Sequence, residues 1–494
     1  MSFALTRNLS LPEFLTFLVW NGELYYPRDN SSYQATYFKP VRLEEIQNAW
    51  RRTLGLIREG RAPSDVGLYI HWPFCPSHCD FCACSMAVPK NKTEVERVYS
   101  SIIEEINSFS DVFSGTSLSS LWMGGGTPTF MTDQQLDFLL SHVRRSFVFS
   151  QNAQIYIEAS PATLTDSKLE ILIKYGVNRI TLGIQSLSDE VTSAVNRQGQ
   201  NRKKVIELFQ KLKSIPGLIV DIDMMLGIER QSFAGFLRDM NEVLLLRPHL
   251  LHIYSFDERP QVPWLRRREK ALGDLKKEYE EVLKLADRLS SLRGYRQQRD
   301  DNVRPVLYPW EERQDGGLRK FRSSVLGIGP SAISHAYGSA WYTHPPVSHG
   351  DESKISPFFW MESSIEEEMR GYAIWYLSQT RRLSRIAFLN LFQVDVMETA
   401  FASVFHRWEK ERKVAIGKDF ISLQNIDDLV EREVFLKDLY SEEIKTALIS
   451  RWSKEIHAFG RDSNSAALWR QEVLRKNSVP GFRVYHDARF WGKS

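Results

Sequence analysis

Four cysteines occur in 494 residues, and all four fall between positions 75 and 84. They sit in the stretch His71-Trp-Pro-Phe-Cys75-Pro-Ser-His-Cys79-Asp-Phe-Cys82-Ala-Cys84. A disulfide framework would spread its cysteines to close loops, so this clustering points to metal chemistry in a reducing compartment. Three thiolates spaced C-x3-C-x2-C can wrap one corner of an iron–sulfur cubane, since such clusters prefer thiolate ligands. Three ligands on a four-iron cluster leave one iron open, and an open position makes a metal site reactive. Two other readings compete. A structural zinc site would use three of the cysteines with His71 or His78, but the second C-x2-C half usual for zinc is missing. A buried cluster of free thiols would hold no metal. Cys84 is either a passive neighbour of the ligands or a catalytic thiol.

The elements that must carry this loop are legible around it. Six β-rich runs, at 67–72, 118–123, 154–159, 179–185, 218–225 and 250–256, alternate with amphipathic stretches. The latter, 92–109, 132–147, 166–175, 202–212 and 233–246, predict helices. A βα repeat implies a parallel sheet with right-handed crossovers. Six units are too few for a closed eight-stranded barrel and fit an open, partial one, with its active face at the strands' C-terminal ends. The cysteines follow the first run directly, and Gly124-Gly-Gly-Thr-Pro128 follows the second. Glycines there let the backbone approach a ligand closely.

The predicted fold class is α/β: a partial (β/α)6 barrel with an N-terminal extension and a mainly helical, winged-helix-like C-terminal domain. The expected boundaries are 1–65 for the extension, 66–258 for the barrel, 259–350 for a barrel-completing or substrate segment, and 351–494 for the helical domain. Within the last, 394–413 reads as one helix and 413–423 as a small β-wing. Lys plus Arg is 64 and Asp plus Glu 61, a formal net charge of +3. That balance gives no support for nucleic acid or an anionic membrane. Mean hydropathy is −0.33. No run is long and apolar enough to span a bilayer, and Pro12 and Glu13 interrupt the N-terminal apolar stretch, so a cytoplasmic protein is expected.

With these residues in place, the sequence resembles the radical S-adenosylmethionine (SAM) superfamily, and within it the oxygen-independent coproporphyrinogen III oxidase (HemN-like) branch. Tyr69-Ile-His71-Trp-Pro-Phe-Cys75 is similar to the branch's Y-x-H-x-P-F-C, and Cys82-Ala-Cys84 to its C-x-C ending. The resemblance implies that Cys75, Cys79 and Cys82 ligate a [4Fe–4S] cluster. It implies SAM contacts from Tyr69, Gly125, Gly126, Thr127, Glu158, Gln185, Arg197 and Asp223, and it leaves Cys84 and His71 as candidate catalytic side chains. Asp221 and Asp223, two apart on a strand, would share the lumen face. The branch's turn G-L-P-x-Q reads Gly227-Ile-Glu-Arg-Gln231 here, without the proline.

The implied chemistry is reductive cleavage of SAM to methionine and a 5′-deoxyadenosyl radical, which takes a hydrogen atom from substrate. The protein then orients the substrate and excludes water and oxygen. A reduced flavodoxin- or ferredoxin-type donor would supply the electron. In the oxidase branch a propionate loses hydrogen and carbon dioxide to leave a vinyl group. The substrate end departs from the pattern. The run 264–270 is basic, but a solvated helix face explains it as readily as a carboxylate-rich substrate. Gly294–Pro305 is a drifted version of G-Y…D-H-F-A-R-P, and Leu326-Gly-Ile-Gly-Pro-Ser-Ala-Ile-Ser334 closely resembles L-G-M-G-V-S-A-I-S. The preceding N-F-Q-G-Y-T-T, which helps hold a second SAM, is replaced by Leu318-Arg-Lys-Phe-Arg-Ser-Ser. Three functions therefore compete: an oxidative decarboxylase of a tetrapyrrole, a class C methyltransferase or cyclopropanase for a natural-product intermediate that uses two SAM molecules, and a haem-binding or trafficking protein without catalysis. The cofactors implied are a [4Fe–4S] cluster and SAM, one molecule of it or two.

Overall fold

The computed structural model describes residues 39–82, 84–255, 276–298, 306–309, 324–345, 347, 358–426, 432 and 435–444. The first six runs all form strands: β2 (Val66–Trp72), β3 (Ser117–Gly125), β4 (Val148–Ala159), β5 (Arg179–Gln185), β6 (Ile219–Leu226) and β7 (Leu250–Ser255), after a short β1 (Lys39–Val41). Helix α1 (Leu43–Arg58) precedes them, and α2 (Lys92–Ser110), α3 (Asp133–Ser146), α4 (Asp166–Lys174), α5 (Asp189–Ala194), α6 (Arg202–Lys213) and α7 (Phe233–Leu246) connect or follow them. Each of α2 to α7 begins at an Asn, Ser or Thr whose side chain accepts from the backbone N–H three residues on. Such caps satisfy amides that the first helical turn leaves open. The starts of α2, α3, α4, α6 and α7 fall within one residue of those expected, while α5 was not expected.

β2 to β7 pair in chain order, all parallel. The sheet does not stop there. After α8 (Lys276–Leu292) come β8 (Tyr295–Gln298), β9 (Val306–Pro309), β10 (Ser324–Ile328), β11 (Ile333–Ala336), β12 (Ala340–Thr343) and β13 (Phe358–Glu362). β10 joins parallel beside β2, so a further parallel strand is added to the six expected. Antiparallel β11, β12, β13 and β1 extend that side, and β9 and β8 the other, giving a 13-stranded sheet. Among the described residues it remains open, with β1 and β8 as its edges.

Alternate side chains on each strand face opposite ways. Leu68, Ile70, Ile155, Ile157, Val220, Ile222, Leu251 and Ile253 are buried in the main core. Each buried aliphatic side chain of this kind contributes ~1.5–3 kcal/mol relative to exposure. The opposite face carries Tyr69, His71, Trp122, Tyr156, Glu158, Asp221, Asp223, His252 and Tyr254. The burial pattern thus separates a greasy face from a polar, aromatic one.

The C-terminal part is mainly helical, with its own core around Phe388, Phe405, Trp408 and Ile421. It comprises α9 (Ile365–Thr380), α10 (Arg385–Phe392), α11 (Ala402–Lys410) and a three-stranded wing of β14 (Arg382–Ser384), β15 (Val414–Ile416) and β16 (Phe420–Leu423). The single helix expected over 394–413 is not formed. A 3-10 turn at Val396–Glu398 is capped by Asp395, Thr399 is extended, and α11 starts afresh at Ala402. The Thr399 hydroxyl donates to the Val396 carbonyl at 2.7 Å. Short polar side chains compete in this way with helix continuation. The basic run 264–270, residues 299–305 and residues 318–323 lie outside the described residues.

Candidate active site

The cysteine loop leaves β2 at Trp72 and returns beside it. Phe74 bridges Ala87, the Cys75 N–H donates to the Ala87 carbonyl at 3.1 Å, and the Ala87 N–H to Pro73 at 2.8 Å. His71 closes the loop from within the strand: its Nε2–H donates to the Ser85 carbonyl at 2.9 Å, while Nδ1 accepts from the Tyr69 hydroxyl at 2.8 Å. A carbonyl only accepts, so the tautomer is fixed. Burial pushes the His71 pKa down to about 4, so the ring is neutral. Both nitrogens are engaged, which makes His71 a brace of the loop.

A second anchor comes from the α5–α6 connection. Asn196 Nδ2 donates to the His78 carbonyl and the Asp80 N–H donates to the Val195 carbonyl, both at 2.9 Å. Asn196 has φ +56°, a conformation that Asn tolerates better than most residues. Arg197 therefore reaches the cysteines. Its Nη1 lies 3.6 Å from Cys79 Sγ, its Nη2 donates to the Gly183 carbonyl, and its Nε donates to Gln200 at 3.1 Å. The resemblance implies a SAM contact for Arg197, and the structure places its guanidinium against the Cys79 sulfur.

The glycine segment presses on the same loop from β3. Gly126 N–H donates to Trp72 O at 2.6 Å and Thr127 N–H to Phe74 O at 2.9 Å. The Thr127 hydroxyl is 3.1 Å from Cys75 Sγ. Gly125 has φ +106°, and a Cβ there would meet the His71 ring at 2.6 Å. A Cβ on Gly126 would meet the Phe74 carbonyl at 2.7 Å. Both positions therefore need glycine, one for its dihedral and both for the approach.

Each sulfur has a defined environment. Burial pushes the Cys75 thiol up to about 12, and it raises Cys79 against the pull of Arg197. The Cys84 side chain donates to Cys82, which lowers the Cys82 pKa and raises that of Cys84. The Cys84 N–H also faces Cys82 Sγ, at 3.4 Å. Buried thiols resist ionisation unless a cation or a hydrogen-bond donor compensates. Among the described residues no three Cys, His, Asp or Glu side chains gather tightly enough to hold one ion.

Over the lumen face, Tyr69 packs on Trp122 with centroids 4.8 Å apart, and Trp122 stacks on Tyr156 at 5.7 Å. Glu158 accepts from Trp122 Nε1 at 3.2 Å, and its carboxylate lies against Gly124. Gln185 sits at a register shift of β5 with φ +67°, its amide beside Gly183 and thus near Arg197. Asp221 is fully buried and held by Arg179 at 2.5 Å and Thr181 at 3.3 Å. Asp223 faces His252 on β7, with Oδ1 to Nδ1 at 3.0 Å. The shared face expected for the two aspartates is present. Sequence reasoning missed Ser85, Trp122, Arg179 and His252. For His252 a period-two pattern in Leu250–Ser255 was the available signal.

The description Radical SAM superfamily matches residues 69–240. The chain is 29% identical to the oxygen-independent coproporphyrinogen III oxidase of Escherichia coli over 197 residues, 40% of this chain and 43% of that protein. It is 29% identical to the Salmonella typhimurium protein of the same name over 280 residues, 54% of this chain and 61% of that one. It thus spans about half the length of these curated relatives. A solved structure described as coproporphyrinogen III oxidase from Escherichia coli, a radical SAM enzyme, superposes with TM-score 0.65 at 20% identity, covering 84% of this chain and 96% of that one. That likeness shows the fold. No helix among the described residues is long and apolar enough to cross a membrane. The cysteine loop, the glycine segment and strands β3 to β6 fall within the matched span, and over residues 69–240 the chain is similar to the radical SAM superfamily.

Proposed function

We propose that the chain is a radical SAM enzyme with a [4Fe–4S] cluster on Cys75, Cys79 and Cys82. The observation that carries this is one closed loop presenting three thiols, with Thr127 at Cys75, Arg197 at Cys79 and the Cys84 N–H at Cys82. Donors to sulfur favour the anionic, ligating form. The zinc reading keeps only His78 of its two candidate histidines, because both nitrogens of His71 are already used. Bound together, the cluster and SAM would supply one-electron cleavage of SAM and hydrogen abstraction from substrate.

The chain's own residues divide the remaining work. Gly125, Gly126 and Thr127 bring backbone close to the ligand, and Glu158, Gln185 and Asp223 offer it polar groups. Tyr69, Trp122 and Tyr156 form an aromatic wall that excludes water. Cys84 keeps its proton and shields Cys82, a supporting role in preference to a catalytic one. The electron donor would be a reduced flavodoxin or ferredoxin, and the setting cytoplasmic.

The favoured substrate is a coproporphyrinogen-type tetrapyrrole, oxidatively decarboxylated, by likeness to the named relatives. The altered 318–324 segment favours a second reading, a class C methyltransferase or cyclopropanase acting with two SAM molecules. Anaerobic incubation with coproporphyrinogen III separates them. A vinyl product with carbon dioxide supports the first. S-adenosylhomocysteine appearing beside 5′-deoxyadenosine, with no vinyl product, supports the second.

A further inference from the structure

A charged pair lies buried behind the cysteine loop, on the far side of the turn joining β10 to β11. Glu105 of α2 is 2% exposed and His344, just past β12, is 4% exposed. His344 Nε2 is 2.5 Å from Glu105 Oε1, and Nδ1 is 3.1 Å from the Ala332 carbonyl. Both partners are acceptors, so both ring nitrogens carry hydrogen and the ring is an imidazolium. Burial opposes that charge, but the adjacent Glu105 carboxylate raises the pKa of His344 above its ordinary value.

The other oxygen of Glu105 accepts from the Gly329 N–H at 2.9 Å. Gly329 has φ +95°, and a Cβ there would sit 2.6 Å from the His71 carbonyl. Two residues on, Ser331 adopts φ +65° and its hydroxyl lies 2.6 Å from that of Ser85. The turn is closed by Ala332 N–H to Gly329 O at 3.0 Å and tied to Pro345 through the Ser331 N–H at 3.1 Å. The turn therefore meets His71, on β2 just before the cysteine loop, and Ser85, just after Cys84.

We infer that the Glu105–His344 ion pair is a positioning device for the cysteine loop, acting through the 329–332 turn on His71 and Ser85. A buried ion pair adds little net stability over a well-packed apolar pair. What this pair supplies is direction: one carboxylate oxygen fixes the imidazolium and the other fixes the Gly329 amide. The imidazolium in turn holds Ala332, so both ends of the turn are set by one ion pair. The inference rests on the proposed function only in what the loop is for.

All four cysteines of the chain lie in this loop, so thiol labelling of the metal-free protein reports on the loop alone. Rates of iodoacetamide alkylation would be compared for the full chain, for Glu105→Gln, and for the double variant Glu105→Leu/His344→Met. Loss of a charge-assisted bond should speed labelling about tenfold or more. The double variant repacks the site with apolar side chains and guards against simple misfolding, which its thermal transition would report. Fast labelling in a folded double variant supports the positioning role. Labelling as slow as wild type in the folded double variant overturns it, because packing alone would then hold the loop. The assay needs no cluster, so a wild type that fails to take up iron would defeat the proposed function and leave this test readable.

Discussion

Substituting Gly126 by alanine probes the closest approach between the glycine segment and the cysteine loop. The new methyl would lie 2.7 Å from the Phe74 carbonyl oxygen and 2.8 Å from the Pro73 carbonyl group. Both neighbours are backbone, and no flexible side chain can swing aside. The loop must retreat by several tenths of an ångström at the residues just before Cys75. Two short backbone bonds, Gly126 to Trp72 at 2.6 Å and Thr127 to Phe74 at 2.9 Å, would lengthen with it. So would the Thr127 contact with Cys75 Sγ at 3.1 Å. Each such bond contributes ~0.5–1.5 kcal/mol net, so the three together put the cost at roughly 1.5–4.5 kcal/mol. That converts to a factor of about 10 to 10³ in the population of the closed loop. The assay is iron retention after anaerobic reconstitution and desalting, alongside thermal unfolding of the metal-free protein. Gly124→Ala is the control, since its methyl meets the side chains of Glu158 and Trp122. Equal iron retention and equal stability in wild type and Gly126→Ala would refute the claim that this contact seats the ligand loop.

Thr127→Val keeps the shape and removes the hydroxyl at Cys75; iron should dissociate faster to a chelator, and an unchanged rate counts against that bond. Glu158→Gln should weaken SAM binding about tenfold or more in equilibrium dialysis, the loss typical of a charge-assisted bond. Full affinity would remove Glu158 from the SAM site. His71 carries a pH signature. Burial lowers its folded pKa from 6.5 to about 4, so between these values the unfolded chain binds more protons. Its contribution is complete above about pH 6.5 and is lost as pH falls toward 4. His71→Gln can still donate to Ser85 but does not titrate, so unfolding midpoints should vary less with pH over that window. A slope equal to wild type would contradict the buried, neutral histidine.

The parts of the fold set by local rules were readable. The run 179–185 and the helix 233–246 match β5 and α7 end to end, because alternation, periodicity and Ser232 as a cap all agree there. β10 was not legible as a parallel neighbour of β2, because some 250 residues separate them and pairing at that distance leaves no periodic mark. The single helix expected over 394–413 overshoots α11 because Thr399 and Asp395 look helix-compatible one by one, and only their bonds to backbone break the run. At the proposed site, the spacing of the cysteines and the glycine run was legible in the residues themselves, whereas Glu158 and Asp223 came from the family resemblance. The braces were not. Ser85, Glu105 and His344 come from three separate elements, and only the fold brings them to the loop. The role of Arg197 likewise depended on where Asn196 turns the chain.

The central claim is that this loop holds a redox-active iron–sulfur cluster to which SAM binds. Its most direct test is 5′-deoxyadenosine release from SAM by the anaerobically reconstituted, chemically reduced protein, with Cys79→Ala in parallel. The account predicts a brown wild-type protein that releases 5′-deoxyadenosine and a Cys79→Ala variant that does neither. A colourless wild type holding zinc and releasing none, or full release by Cys79→Ala, would contradict it.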